Sequence, residues 1–166
     1  MERPSSPQLR KLIGVGNYQF GQGMGSVLFN GKVKIECSRK TGRIRHIYYQ
    51  DQLIATLRPK DGYLALTPHA ASIILSNVKH PANLVVVETE VSDAVKAGGD
   101  IFAKHILRAN PTLRPGEEVI VTDEESSLLG VGAAVLSGLE MCAFKRGVAV
   151  KLRKGVKQAD HADFEV

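Results

Sequence analysis

Val95-Lys96-Ala97-Gly98-Gly99-Asp100-Ile101-Phe102-Ala103-Lys104 changes its backbone preference twice within ten residues, and the fold turns on how that change is read. Just upstream, Ser92-Asp93-Ala94-Val95-Lys96-Ala97 has the composition of one short helix. Ser92 is placed to cap it, and Asp93 falls in the first turn, where the helix dipole favours negative charge. Gly98-Gly99 stops the helix, supplying positive φ and letting another backbone approach closely. Ile101-Phe102-Ala103 then reads as a strand. Two uses fit the glycine pair. It is a plain helix C-cap before a strand, or it is a groove floored by bare backbone, flanked by Lys96 and Lys104 and suited to a phosphodiester chain.

Around this stretch the chain reads as short strands. Leu84-Val85-Val86-Val87 is a continuous apolar run, as in a strand covered on both faces. Ile101 to Ala109 continues the sheet, and Pro111 with Arg114-Pro115-Gly116 turns the chain. Glu118–Thr122 and Leu128–Leu136 form a hairpin around Asp123-Glu124-Glu125-Ser126, with Gly130 and Gly132 marking a bulge or barrel corner. Ser137-Gly138-Leu139-Glu140 matches a capping box for a short helix ending at Arg146-Gly147. A last strand, Val148–Arg153, points Val148, Val150 and Leu152 inward. Short strands with glycine corners predict a small mixed β-barrel over residues 83–155, followed by a loose tail over 156–166.

The preceding residues, 1–82, have a different rhythm. Ser6 at an N-cap and Pro7 at the first helical position open a helix whose apolar face is Leu9, Leu12, Ile13 and Phe20. Gly21-Gln22-Gly23-Met24-Gly25 has neither the preceding strand nor the Lys-Ser/Thr of a phosphate loop, so it reads as a flexible turn. From Ser26 to Leu66 the period is two. Strands at Val33–Cys37, Ile44–Tyr49, Leu53–Leu57 and Tyr63–Leu66 make an antiparallel meander. Thr67-Pro68 opens a further helix through Ile74 and Leu75. This half is α+β, with helices flanking the meander, and the boundary falls in Asn77–Asn83.

At 166 residues, 43% apolar and 23% charged, the chain has the composition of an ordinary globular protein. No apolar run approaches the roughly 18–20 residues that span a bilayer, and the first residues lack the core of a signal peptide. These features, with Cys37 and Cys142 far apart, point to the reducing cytoplasm, away from membranes. Charge is divided unevenly. Residues 1–82 hold 12 Lys and Arg against 4 acids, a net +8, whereas residues 83–166 hold 10 against 13, a net −3. A polyanion would be drawn first to the N-terminal half.

Enzyme templates fail in turn. His46, His69, His80, His105 and His161 have no HxxxH or HxH spacing, and two isolated cysteines do not make a zinc site. No GxSxG elbow is present. No metal or cofactor is expected. What remains is binding. Arg39, Lys40, Arg43 and Arg45 place four cations within seven residues, with Tyr48 and Tyr49 just beyond as stacking faces; an ordinary solvated hairpin fits the same pattern. In the net acidic half, Lys96, Lys104, Lys145, Arg146 and Lys151 form a basic minority that suggests a defined patch.

Three blocks in order, Gly98-Gly99-Asp100-Ile101-Phe102-Ala103, Leu113-Arg114-Pro115-Gly116-Glu117-Glu118-Val119, and Gly138-Leu139-Glu140-Met141 with Phe144-Lys145-Arg146-Gly147-Val148-Ala149-Val150-Lys151, resemble a PUA domain. Upstream, Tyr18 to Gly25 with Leu28-Phe29, then Ser38 to Arg45, Leu53 to Arg58 and Asp61-Gly62 resemble the module just before the PUA domain in archaeal tRNA-guanine (archaeosine) transglycosylases. In that family a separate (β/α)8 barrel carries an aspartate nucleophile and a zinc site, and the C-terminal modules grip tRNA. The resemblance therefore implies Gly98, Gly99, Phe102, Ala103, Lys104, Lys145, Arg146 and Gly147 as RNA contacts.

Together these readings predict a non-catalytic protein that binds tRNA or another structured RNA. It would act alone or as the detached RNA-binding subunit of an archaeosine transglycosylase whose catalytic part is another chain. An RNA-binding adaptor in ribosome assembly or translation is the alternative, and a stand-alone enzyme is the least favoured.

Overall fold

The computed structural model describes residues 1–158, which divide after Pro81 into two units, each with its own sheet. The first unit begins with α1 (Ser6–Phe20), capped one residue earlier than the sequence suggests. Ser5 is the N-cap because its side chain completes a reciprocal box with Gln8: the Ser5 amide donates to Gln8 Oε1 at 2.8 Å, and Ser5 Oγ accepts from the Gln8 amide. Pro7 thus occupies the second helical position.

The glycine-rich segment is not a flexible turn into a strand. After Gly21–Gly23 the chain forms a second short helix, α2 (Met24–Leu28), so Ser26 belongs to a helix. Packing explains the glycines. A Cβ on Gly25 would overlap the Ile13 carbonyl, and one on Gly16 would lie 2.8 Å from Gly25 Cα. Asn17 Oδ1 accepts from the Gly25 amide at 2.8 Å and fixes the crossing. Four strands follow in antiparallel order: β1 (Lys34–Cys37), β2 (Ile44–Tyr49), β3 (Gln52–Leu57) and β4 (Leu64–Leu66). Thr67 caps α3 (Pro68–Asn77), its hydroxyl accepting from the Ala70 amide and donating to the Leu53 carbonyl at 3.0 Å. Leu12, Phe20, Leu28, Phe29, Ile35, Ile47, Ile54, Leu64 and Ile74 are fully buried. The meander is the one the period-two reading predicts.

The second unit is a nearly closed mixed barrel of six strands: β5 (Leu84–Val87), β6 (Ile101–Phe102), β7 (Ile106–Ala109), β8 (Glu118–Thr122), β9 (Leu128–Ala134) and β10 (Val148–Gly155). Their order is β6-β10-β9-β8-β5-β7, with β5 and β8 parallel and the other pairs antiparallel. Two helices complete it, α4 (Ser92–Lys96) and α5 (Gly138–Ala143), the latter with its Ser137–Glu140 capping box formed. β5 is buried along its whole length.

Local readings shift here too. A 3₁₀ turn, Thr89–Val91, leads into α4, so Ser92 already has helical φ and ψ and Val91 takes the N-cap position. The Ser92 hydroxyl is left buried without a hydrogen-bond partner. The strand expected from Ile101 to Ala109 is broken by a 3₁₀ turn at Ala103–His105, and its halves lie at opposite ends of the strand order. α5 stops at Ala143 rather than at Arg146-Gly147. β9 is bulged at Leu129, beside Gly130, as the glycines suggest, and another bulge falls on β10 at Arg153, opposite Gly132, where a Cβ would lie 2.9 Å from Leu152 Cα. Arg153 is thereby turned toward buried Glu118, donating from Nη1 to Oε2 at 2.9 Å. Residues 156–158 are helical and tethered: Gln158 Oε1 accepts from the Gly155 amide at 3.0 Å. The rest of the expected tail, 159–166, lies outside the described residues.

Candidate nucleic-acid interface

A notch of about 360 Å³ in the second unit is lined by Phe102, Lys104, Lys145, Arg146 and Gly147. Backbone bonding builds it. The edge strand β6 pairs with the start of β10, Phe102 opposite Val148, and the Ala103 amide donates to the Gly147 carbonyl at 2.9 Å. That bond ties the 3₁₀ turn carrying Lys104 to the bend carrying Lys145 and Arg146. Ala103 turns its methyl into the core, whereas Phe102 keeps 46% of its surface exposed. An exposed phenyl ring among three exposed cations is a place for a planar base beside a phosphate. None of the three cations has an ion-pair partner among the described residues.

The glycine pair does not line this notch. Gly98, at φ 101°, donates its amide to the Val95 carbonyl, and Gly99 donates to the Ala94 carbonyl, both at 2.9 Å. The Gln158 side chain packs on Gly98 so closely that a Cβ there would overlap its amide. This is the helix C-cap reading, not the open backbone floor. Lys96 and Lys151 are likewise not among the lining residues; Lys96 is half-buried at the end of α4 and Lys151 is exposed on β10.

In the first unit a cleft of about 330 Å³ collects Lys11 from α1, Arg43 and Arg45 from the β1–β2 hairpin, and Arg58 at the end of β3. Arg39 and Lys40 are exposed at the hairpin tip and do not line it. Sequence reading missed Lys11 and Arg58, which stand 32 residues before Arg43 and 13 residues after Arg45. Tyr48 is not an open stacking face. It is half-buried, edge-on to His46, and its hydroxyl donates to Glu36 Oε2 at 3.1 Å. Hydrogen bonds from His46 and Tyr48 hold the Glu36 carboxyl below its ordinary range, and burial, then Glu36, pushes the Tyr48 phenol up. No group of three or more His, Cys, Asp or Glu side chains among the described residues could hold a metal ion. No helix among them is long and apolar enough to cross a membrane.

Fold and interface define a PUA-type architecture: residues 83–156 match the PUA domain. Residues 10–81 match the patch-forming domain C2 of tRNA-guanine transglycosylase. The two matches together span residues 10–156, with the C2 match directly ahead of the PUA match. It is 38% identical over 156 residues to the tRNA-guanine(15) transglycosylase of Methanobrevibacter smithii, a match covering 94% of this chain and 24% of that protein. The enzyme of the same name from Methanothermobacter thermautotrophicus is 41% identical over 141 residues, covering 85% and 22%. The chain therefore spans about a quarter of the length of these curated relatives. In fold it is similar to a hypothetical protein of Pyrococcus horikoshii, with TM-score 0.77 and 21% identity over 94% of both chains. A conserved PUA domain protein from Thermoplasma acidophilum aligns with TM-score 0.67 at 18% identity, over 93% of this chain and 92% of that one.

Proposed function

We propose that this chain is a non-catalytic tRNA-binding protein of the cytoplasm that holds tRNA while a separate transglycosylase chain exchanges the base. The observation that carries this reading is the notch, where Lys104, Lys145 and Arg146 line the same pocket as an exposed Phe102 and have no ion-pair partner among the described residues. Cations in a fixed frame suit a sugar–phosphate strand, and the phenyl ring suits an unpaired base at its end. The kinship with enzymes named tRNA-guanine(15) transglycosylase supports tRNA as the RNA. Arg39, Lys40, Arg43 and Arg45 would add contacts from the first unit, and Lys96 and Lys151 would contribute long-range attraction rather than direct contact. Gly98 and Gly99 would act by shaping α4 rather than by touching RNA.

The chemistry asked of the chain is binding and orientation alone. Charged contacts to phosphates displace condensed counterions, so affinity for a tRNA transcript, followed by fluorescence anisotropy, should fall steeply with salt. Adding the chain to a transglycosylase barrel lacking these modules should raise guanine exchange at limiting tRNA. Affinity indifferent to salt, or base exchange by the purified chain with no partner, would overturn the proposal. Recovery of ribosomal RNA instead of tRNA after crosslinking in cells would replace it with the adaptor role.

A further inference from the structure

The cleft of the first unit has a neighbour that the charges alone do not explain. Tyr18 and Tyr63 stack on one another with ring centroids 5.9 Å apart and planes 15° from parallel, yet Tyr18 remains 76% exposed. Tyr63 directly follows Gly62, which lines the cleft. Tyr18 lies seven residues beyond Lys11 on α1, two helical turns along the same side. The pair is held in place from below. Gln19 bonds both ways to the Leu64 backbone, its Nε2 donating to the carbonyl at 3.1 Å and its Oε1 accepting from the amide at 2.6 Å. Each half of that clamp adjoins one tyrosine and joins α1 to β4, where the two rings meet.

The cations beside them are free to act. Lys11, Arg43 and Arg45 have no ion-pair partner among the described residues. Arg58 spends one amino group on Asp61 at 3.0 Å, while its buried Nε has no hydrogen-bond partner. Phosphate and planar base alternate along a single-stranded nucleic acid, and this surface offers both complements side by side. A duplex hides its base faces and could use only the charges. An acidic peptide would leave the tyrosine stack unused.

We infer that the first unit carries a second RNA site selective for unpaired nucleotides, in which a base extends the Tyr18–Tyr63 stack while its flanking phosphates lie against Lys11, Arg43, Arg45 and Arg58. This rests on the RNA-binding reading and gives it a second, chemically distinct contact. The test uses the full chain, a fluorescein-labelled single-stranded oligouridine and a blunt RNA duplex of equal length. Tyr18→Ala should weaken oligouridine binding about fivefold or more and change duplex binding less than twofold. Tyr18→Phe should retain wild-type affinity, and Lys11→Glu with Arg43→Glu should weaken both RNAs. Equal loss of both RNAs in Tyr18→Ala, or no loss of either, overturns the stacking site. If Lys145→Glu with Arg146→Glu still abolishes tRNA binding in that case, the proposed function stands without it. If no variant in either unit changes RNA affinity, both fail. Tyr18 is too exposed for its replacement to unfold the chain, which a thermal melt of each variant verifies.

Discussion

In the notch of the second unit the cations ride on loops joined by a single backbone bond, Ala103 to Gly147. In the cleft of the first they come from a helix, a hairpin and a strand end held by side-chain packing. Their electrostatic settings differ as well. The cleft belongs to residues carrying a net +8, the notch to residues carrying a net −3. A broad positive field draws a polyanion in from a distance, while a basic spot in an acidic surround punishes misplacement. Under the proposed function, the contrast would give attraction to the first unit and register to the second.

Reversing charge in the notch breaks that division most severely. Lys145→Glu with Arg146→Glu should lower tRNA affinity about tenfold or more and reduce the salt slope by about two, read by anisotropy across a salt series. The same reversal at Arg39 and Lys40, which stand outside the cleft, should slow association more than it speeds dissociation in stopped-flow traces. Next in size, Phe102→Leu should cost about fivefold for tRNA with its 3′ end intact, and little for tRNA trimmed of its unpaired end. Gly98→Ala sharpens the outline of the notch. It should destabilise the fold by about 1 kcal/mol, from the positive φ, in a denaturant titration, and leave tRNA affinity within twofold. A large affinity loss there would restore the glycines to the interface.

The smallest effect lies at Glu36. Its carboxyl is lowered in the fold from an ordinary 4.5, so the stabilisation it gives is complete above that value and is lost as pH falls through the lower, folded one. Tyr48→Phe removes one of the two side-chain hydrogen bonds responsible. Its stability should then decline less between pH 5 and 3 than that of the wild type, as followed by thermal melts.

Strands and caps that depend on near neighbours are plain in the sequence. Val33 to Leu66 alternates as a meander must, Ser137 finds Glu140 three residues on, and Thr67-Pro68 starts a helix. The PUA resemblance likewise rests on contiguous blocks. What is hidden depends on distant partners. Gly25 suggests flexibility until Ile13 is seen to press on it, and α2 is missed for that reason. Lys11 and Arg58, like Tyr18 and Tyr63, are ordinary surface residues in the chain and meet only in the fold, where Gln19 clamps Leu64. Gly98-Gly99 misleads in the other direction, since a sequence cannot reveal that Gln158 lies on top.

β6 and β7 are neighbours in the chain yet stand at the two ends of the strand order, so Ala103–His105 crosses the seam where the barrel fails to close. A ligand seated over that crossing behaves as a rivet. It holds down the free rims of the sheet, and by linkage whatever it gains there is returned as resistance to melting. Bound tRNA should therefore slow amide exchange at Ala103 more than at the interior β8, turning the open join in the barrel into its gauge of occupancy.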